Sequence, residues 1–324
     1  MVSIEDIQKA QRTIVPYANL TPLKRSKYLS ELCQANVYLK LENQQVTRSF
    51  KVRGGINKLV KLTTVEKAKG VITASAGNHG QAVAFGAREL GFTAKVVVPT
   101  NTPKVKVEAI RRFGAELILY GATYTEAEKK AKDLAKQEGR LYISPYNDPF
   151  IVAGHGTIGL EILEDKPDVD VVVVPVGGGG LIAGISIAVK TKKPDTQVIG
   201  VQSTATPIMF ESLRAGRIVP AHRHEPATIA EGIGGGIEKD SITFDIAQQY
   251  VDKIMLVREE TIRKAVYIHY KYDGEMVEGS GAVGAALLLE YPDAFKGQTV
   301  VLVVSGGNID EPLLKQIIAE QESA

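Results

Sequence analysis

A lysine stands in the stretch SFKVRGG, directly after an aromatic residue and shortly before two glycines. The helical pattern that follows predicts that Ser49 caps a helix and that Lys51 lies in its first turn. The positive end of the helix dipole disfavours a cation there and lowers the pKa of the amine, as an imine-forming lysine requires. Lys51 is therefore a candidate covalent catalyst, and a solvated surface lysine stays open as the alternative.

Four consecutive glycines, Gly177–Gly180, separate the apolar run VDVVVVPV from a helical pattern. Glycines let the backbone approach an anion closely, and a helix N-terminus adds N–H donors, so we expect a phosphate site. Gly178, Gly180 and Ala183 also satisfy the dinucleotide pattern GxGxxA, but the next strand, TQVIGVQS, does not end in the acid that would hold a ribose. The Walker lysine is missing from this stretch as well, so a monophosphate fits better than a nucleotide.

Two further polar turns, SAGNHG and SGGN, each follow a strand-like run. Backbone N–H groups of the first turn, with the side chains of Ser75 and Asn78, can hold a carboxylate or a ring hydroxyl. A simple helix cap by either residue is the alternative, and His79 is expected to be packed rather than to act as a base. In the second turn Ser305 offers one hydroxyl to a ligand heteroatom.

Composition excludes several classes of protein. The 324 residues carry a net charge of +2, with 39 basic and 37 acidic residues, and the basic ones are scattered, so nucleic acid is not an expected partner. No stretch is typical of a membrane span or a signal peptide, so no membrane partner is expected and a cytoplasmic location is predicted. Cys33, the one cysteine, is expected to be a packed thiol rather than a nucleophile.

The elements that must position these turns alternate along the chain. Runs rich in β-branched residues, such as KGVITASA, TAKVVVPT and GQTVVLVVSGG, alternate with amphipathic helical stretches. This alternation predicts an α/β fold with mostly parallel sheets flanked by helices. Ligands of such folds bind at the carboxyl ends of the strands, where the small polar turns lie.

Taken together, SFKVRGG, SAGNHGQ, GGGGL and SGGN resemble the fold type II (tryptophan synthase β-like) pyridoxal-phosphate enzymes, in this order and at these spacings. The likeness is to the threonine and serine dehydratase and serine racemase branch, closest to the single-domain catabolic threonine dehydratases. It implies two open, twisted, mostly parallel sheets flanked by helices, pyridoxal 5'-phosphate as cofactor, and a homodimer or homotetramer.

The resemblance also implies a domain organisation. Residues 1–60 and 148–324 would form a large cofactor-binding domain, and residues 61–147 a small mobile domain. No C-terminal regulatory domain is expected.

The resemblance implies a role for each motif. Lys51 would hold the cofactor as an imine and then act as the base, with Phe50 beside the cofactor ring. Asn78 would contact the ring hydroxyl and Ser305 the pyridine nitrogen. Because this partner is a neutral hydroxyl, the ring should be a weaker electron sink, suited to elimination. The phosphate would be bound by Gly177, Gly178, Gly179, Gly180 and Leu181, and the substrate carboxylate by Ser75, Ala76, Gly77, Asn78 and His79.

The implied reaction is β-elimination from a β-hydroxy amino acid such as L-threonine or L-serine, giving a 2-oxo acid and ammonia. An amino-acid racemase of the same fold is the alternative. The racemases need a second acid on the opposite face of the cofactor, and Ala76, at the matching position, has no proton to give. They also bind a divalent ion through carboxylates where this chain has Gln202 and Ile208, so no metal site is predicted.

Two departures from the dehydratase pattern leave an unusual hydroxy amino acid open as the substrate. Arg48 stands where a glycine is usual. In the stretch TIAEGIGGGIE, Glu231 replaces a shorter aspartate and Gly234–Gly236 loosen the adjoining loop. Glu278 matches a family position near the cofactor, although a helix-start carboxylate is an equal alternative.

Two remaining patterns are weaker. His222 and His224 are two apart on a predicted loop, where exposure is expected rather than metal binding. A stripe at helical spacing favours packing or a subunit contact over chemistry, and it comprises Tyr267, His269, Tyr270 and Tyr272.

Overall fold

A computed structural model describes residues 2–221 and 227–323. The strands are β1 (Leu23–Arg25), β2 (Asn36–Leu41), β3 (Val71–Ala74), β4 (Ala94–Val98), β5 (Glu116–Leu119), β6 (Leu141–Tyr142), β7 (Val171–Pro175), β8 (Gln197–Ser203), β9 (Lys253–Val257) and β10 (Thr299–Val304). The helices of the first half are α1 (Ile4–Ile14), α2 (Lys27–Cys33), α3 (Lys51–Val60), α4 (Thr64–Lys69), α5 (Asn78–Glu89), α6 (Lys104–Arg111), α7 (Tyr124–Glu138) and α8 (Pro149–Asp165). Those of the second half are α9 (Gly180–Lys192), α10 (Ile208–Ala215), α11 (Ile242–Tyr250), α12 (Glu259–Ile268), α13 (Gly279–Glu290) and α14 (Glu311–Glu322).

Within these ranges the strands form two sheets. The larger has the order β1-β2-β10-β7-β8-β9, and each neighbouring pair is parallel except β1 with β2. The smaller has the order β5-β4-β3-β6 and is parallel. The predicted fold class, mostly parallel sheets flanked by helices, is confirmed. Strands β1 and β6 were not predicted, because three and two residues are too few to show a period.

The core lies on both faces of the larger sheet. Strands β7 and β10 are buried along their whole length, which explains why they read as continuous runs of valine and leucine. Helices α9 and α13 are apolar almost all round and pack close to them. In the described part of the chain no helix combines the length and the apolar character of a membrane span.

Cys33 belongs to this core, as expected. It is 2% exposed, and its Sγ lies 3.9 Å from the carbonyl oxygen of Leu288. Burial raises the pKa of the Cys33 thiol to about 11, which disfavours the reactive thiolate.

The aromatic stripe does not lie on one regular helix, contrary to the prediction. From His269 to Asp273 the chain forms a π-helical turn, and the His269 Nδ1 lies 2.9 Å from the Asp273 Oδ2 in the core. The ring of Tyr272 stacks on that of Tyr28 with centroids 4.1 Å apart. Part of the stripe therefore serves packing, and a subunit contact through the exposed Tyr270 stays a prediction.

Candidate active site

The candidate site is a cavity of about 950 Å³ at the turns that follow the parallel strands β3, β7 and β10. The turns after β7 and β10 meet because neighbouring parallel strands direct their carboxyl ends to the same edge of the larger sheet, and the turn after β3, in the smaller sheet, lines the same cavity. Every predicted site residue lines this cavity: Phe50, Lys51, Ser75, Ala76, Gly77, Asn78, His79, Gly177, Gly178, Gly179, Gly180, Leu181, Glu231, Glu278 and Ser305.

Lys51 is the first residue of α3. Its Nζ donates to the carbonyl oxygen of Pro145 at 2.8 Å and lies 5.1 Å from the centroid of the Phe50 ring. Burial lowers the pKa of Lys51 to about 8, and the Glu278 carboxylate opposes this shift. The direction agrees with the prediction, but the main cause is burial, which the sequence pattern did not reveal.

Ser49 does not cap α3, so that prediction was wrong. Phe50 occupies the cap position with helical backbone angles, and α3 has no side-chain cap. Ser49 is instead held in an antiparallel bridge with Gly306, and the backbone N–H of Phe50 donates to the Ser305 carbonyl at 3.1 Å. These contacts dock the start of the lysine helix against the end of β10.

The glycine loop runs from β7 into α9, which begins at Gly180. A Cβ at Gly178 would lie 2.5 Å from the ring of Tyr146, so only glycine fits beneath this ring. Gly179 has a φ of +86°, a left-handed angle that also favours glycine. The first N–H groups of α9 have no acceptor within the helix, and the loop lines the cavity, so it can hold a phosphate.

The turn before α5 is not a simple helix cap. Gly77 occupies the cap position without a side-chain bond, and the Ser75 Oγ accepts from the Gly77 N–H at 3.2 Å. His79 is buried, with its Nε2 3.1 Å from the Ile143 carbonyl oxygen. Burial, followed by the charge of Lys51, lowers the pKa of His79 to about 3, so it is a packed neutral histidine, as expected.

Glu278 occupies the N-cap position of α13, so it is a carboxylate at a helix start as well as a cavity residue, although its side chain makes no cap bond. Its Oε1 accepts from the Asn78 Nδ2 at 2.8 Å, and its Oε2 accepts from the Asn308 N–H at 3.2 Å. Burial raises the pKa of Glu278 to about 7, against the effect of these two bonds. Asn308 also donates through its Nδ2 to the Asn78 Oδ1 at 2.7 Å. Sequence reasoning gave Asn308 no role, although it directly follows SGG.

Glu231 lies at the rim of the cavity. Its side chain is 69% exposed and accepts from the Lys106 Nζ at 2.5 Å, and that Nζ lies 3.9 Å from the Asp310 carboxylate. Lys106 belongs to α6, beside the smaller sheet, so the pair spans the cavity mouth. Nothing in the local sequence distinguishes Lys106 from the other basic residues.

Arg48 also lines the cavity. Its φ of +58° is left-handed, which gives a physical reason why a glycine was expected. Within the described residues its guanidinium has no hydrogen-bond or ion-pair partner.

Gln202 and Ile208, at the positions where the racemases bind a divalent ion, have other roles in this structure. Gln202 donates through Nε2 to the Thr206 carbonyl at 3.3 Å and accepts through Oε1 from the Phe210 N–H at 2.8 Å, so both ends of its amide serve the backbone. Ile208 is buried in the core. His222 and His224 lie outside the described residues, and the absence of a metal stays a prediction.

These features fit one kind of cofactor. A half-buried amine of lowered pKa can form an imine, and the glycine loop beneath Tyr146 offers N–H groups to a phosphate. Residues 14–306 match the family model of the pyridoxal-phosphate dependent enzymes, and the chain belongs to this family, whose cofactor is pyridoxal phosphate.

Individual members of this family that are similar to the chain include ammonia-lyases and a racemase. The chain is 45% identical over 319 residues to an L-threonine ammonia-lyase of Thermotoga maritima, covering 98% of this chain and 78% of that protein. Threonine deaminase isoform 2 of Solanum lycopersicum has a TM-score of 0.92 at 35% identity, covering 99% of this chain and 89% of that one. Maize serine racemase has the same TM-score at 31% identity, covering 99% and 98%. The fold alone therefore does not separate a lyase from a racemase.

Proposed function

We propose that the protein is a pyridoxal-phosphate-dependent ammonia-lyase. It converts a β-hydroxy amino acid such as L-threonine or L-serine to a 2-oxo acid and ammonia. The observation that carries this proposal is the half-buried Lys51 amine, of lowered pKa, in the same cavity as the glycine loop. The printed activities of the Thermotoga maritima and Solanum lycopersicum proteins support threonine as a substrate.

The residues of the cavity would hold the cofactor at three places. Lys51 would bind it covalently, and the N–H groups of Gly177–Gly180 would bind its phosphate. Ser305 and Asn78 would bind the ring. Once bound, pyridoxal phosphate withdraws electrons from the Cα of the attached amino acid and weakens the Cα–H bond.

The chain's own groups then orient the substrate and move its proton. The Ser75 hydroxyl and the N–H groups of the turn at Gly77 and Asn78 bind the substrate carboxylate. As a neutral amine, Lys51 can accept the Cα proton at Nζ, and the lowering of its pKa from 10.5 to about 8 makes this neutral form far more populated near neutral pH. The proton that Lys51 takes from Cα balances the one that the β-hydroxyl gains when it leaves as water. The released unsaturated amine then takes up one water and gives the 2-oxo acid and ammonia.

Racemisation is the second candidate, favoured by the equal likeness in fold to maize serine racemase. It needs a proton donor on the face opposite Lys51. The methyl group of Ala76 cannot supply one, so elimination is preferred. A dehydratase for a bulkier hydroxy amino acid is a variant of the same proposal, supported by Arg48 and by Gly234–Gly236 at the cavity wall.

We further propose that residues 61–147 form a small mobile domain against residues 1–60 and 148–324. The location of the four-stranded sheet between residues 71 and 142 supports this division. A cytoplasmic location and assembly as a homodimer or homotetramer complete the proposal.

The test compares Lys51→Ala with Lys61→Ala, an exposed lysine at the end of the same helix. The wild type and Lys61→Ala should show the visible absorption band of a lysine-bound cofactor and should release 2-oxo acid from L-threonine or L-serine. Lys51→Ala should lose the band and at least about 10³-fold in kcat. A wild type without the band after incubation with pyridoxal phosphate would refute the proposal. D-amino acid formation exceeding 2-oxo acid release would favour the racemase.

A further inference from the structure

We propose that Arg53 is a positioning residue, which sets the location of Lys51 relative to the glycine loop. This inference rests on the proposed function of Lys51 as the cofactor-bearing amine. Arg53 lies on α3 two residues after Lys51 and is 1% exposed, too far inside to contact a ligand in the cavity.

The Arg53 guanidinium is held on two sides by carboxylates. Its Nε and one terminal nitrogen donate to the two oxygens of Glu42, each at 2.8 Å. Its two terminal nitrogens donate to the two oxygens of Glu161 at 2.5 and 2.8 Å, and a further bond reaches the Thr157 Oγ1 at 3.1 Å. Two bidentate pairs fix both the position and the plane of the guanidinium.

The two carboxylates come from different elements. Glu42 directly follows β2 in the larger sheet, whereas Glu161 lies on α8. Arg53 therefore ties the lysine helix both to the sheet and to α8. Lys40, also fully buried, donates to the Glu161 Oε2 at 2.8 Å, so the buried cluster holds two cations and two anions. A displacement of α3 that separates Arg53 from its carboxylates would leave buried charges without partners. Such displaced arrangements are therefore strongly disfavoured.

Helix α8 passes this constraint to the glycine loop. A Cβ at Gly154 of α8 would lie 2.6 Å from the Arg53 carbonyl oxygen, and a Cβ at Gly184 of α9 would clash with the Val152 carbonyl oxygen. The backbones of α3, α8 and α9 are thus in direct contact. Because α9 begins at Gly180, a displacement of α3 against α8 changes the distance from Lys51 to the phosphate site.

The main variants are Arg53→Lys, whose single ammonium cannot span two carboxylates, and Glu161→Gln, which keeps the shape but weakens the pairs of Glu161 with Arg53 and with Lys40. The control is Lys40→Met, which removes a charge from the same cluster without touching α3. All are compared with the wild type as holoenzymes, at a temperature where circular dichroism shows each to be folded. The measurements are the cofactor absorption band, the cofactor dissociation constant, kcat and KM.

We expect Arg53→Lys to lower kcat on the order of 10- to 100-fold and to weaken cofactor binding roughly tenfold, with the KM for the amino acid within about twofold of wild type. Glu161→Gln should change the same quantities in the same direction, by less. Lys40→Met should lower the melting temperature and leave kcat and cofactor affinity unchanged.

Wild-type kcat and cofactor affinity in folded Arg53→Lys would overturn the inference, as would an equal loss of kcat in Lys40→Met and Glu161→Gln. If Arg53→Lys does not fold, the kcat and the cofactor affinity of Glu161→Gln test the inference instead. A wild type that lacks the absorption band would instead overturn the proposed function and this inference with it.

Discussion

Asn78 and Glu278 meet at the cavity, where the Asn78 Nδ2 donates to the Glu278 Oε1 at 2.8 Å. Asn78 begins α5, which packs on strands of the smaller sheet, and Glu278 precedes α13, which packs on the larger. This bond therefore joins the two sheets at the site, next to the lysine that we propose as the catalyst. The charge of Glu278 acts on Lys51 as well, because it raises the lysine pKa against the effect of burial.

Glu278 should make the stability of the cofactor-free protein fall with rising pH. Burial raises its pKa from 4.5 to about 7, so between these values the folded protein binds more protons than the unfolded chain. This contribution of Glu278 to the free energy of unfolding should decrease by roughly 3 kcal/mol as the pH rises from about 4.5 through 7, while the lowered pKa of His79 contributes in the opposite direction. Glu278→Gln should lack this decrease in denaturant unfolding at pH 5 and pH 8. The same pH dependence in wild type and variant would contradict the assignment.

Ala76→Ser should add racemase activity. The new hydroxyl would stand on the face that we infer to lie opposite Lys51 and could return a proton to Cα. Chiral chromatography of the products from L-serine should show D-serine, with the ratio of D-serine to 2-oxo acid higher than in wild type. Ala109→Ser, a serine elsewhere on the cavity wall, is the control and should leave the ratio unchanged. No D-serine from Ala76→Ser would weaken the opposite-face argument.

Arg48→Gly should stabilise the protein and impair substrate binding. A left-handed backbone costs a non-glycine residue about 1 to 2 kcal/mol, partly offset by the entropy of the glycine, so a gain on the order of 0.5 to 1 kcal/mol is expected. The KM for the amino acid should rise several-fold, because the variant lacks a cavity-lining cation that has no partner among the described residues and would attract the substrate carboxylate.

Gln34→Gly is the matched control for Arg48→Gly. Gln34 has a φ of 50° but caps α2, and it is not part of the cavity wall. The Gln34→Gly variant should show a similar gain in the free energy of unfolding in chemical denaturation, and its KM for the amino acid should be unchanged. A wild-type KM in Arg48→Gly would show that the guanidinium has no part in binding.

The pair between Lys106 and Glu231 should hold the cavity mouth closed. Because the Glu231 side chain is mostly exposed, a double-mutant cycle of Lys106→Met and Glu231→Gln should give a coupling energy of only about 0.2 to 1 kcal/mol in substrate binding. The coupling should shrink in high salt. Lys129→Met and Asp133→Asn, an exposed pair on α7, serve as the control cycle. Zero coupling at low salt would exclude a role in closure.

Local sequence was sufficient for most of the fold. Valine-rich strands such as β7 and β10 are recognisable in the sequence because they are buried on both faces. The turns of the candidate site at SAGNHG, GGGG and SGGN each follow a strand within a few residues. The lysine, the glycine loop, the SAGNHG turn and Ser305 could therefore be named from the chain alone. The very short β1 and β6 and the π-helical turn at His269 carry no such local pattern.

The sequence by itself determined which residue types stand at the ends of the strands, and hence the kind of cofactor the chain can bind. Only the tertiary structure decided how they act on one another. It showed that burial lowers the Lys51 pKa and that Asn78 is hydrogen-bonded to Asn308 and Glu278. It also showed that Arg53 forms bidentate pairs with Glu42 and Glu161. Such properties depend on contacts between residues far apart in the chain, and these contacts exist only once helices and sheets have packed.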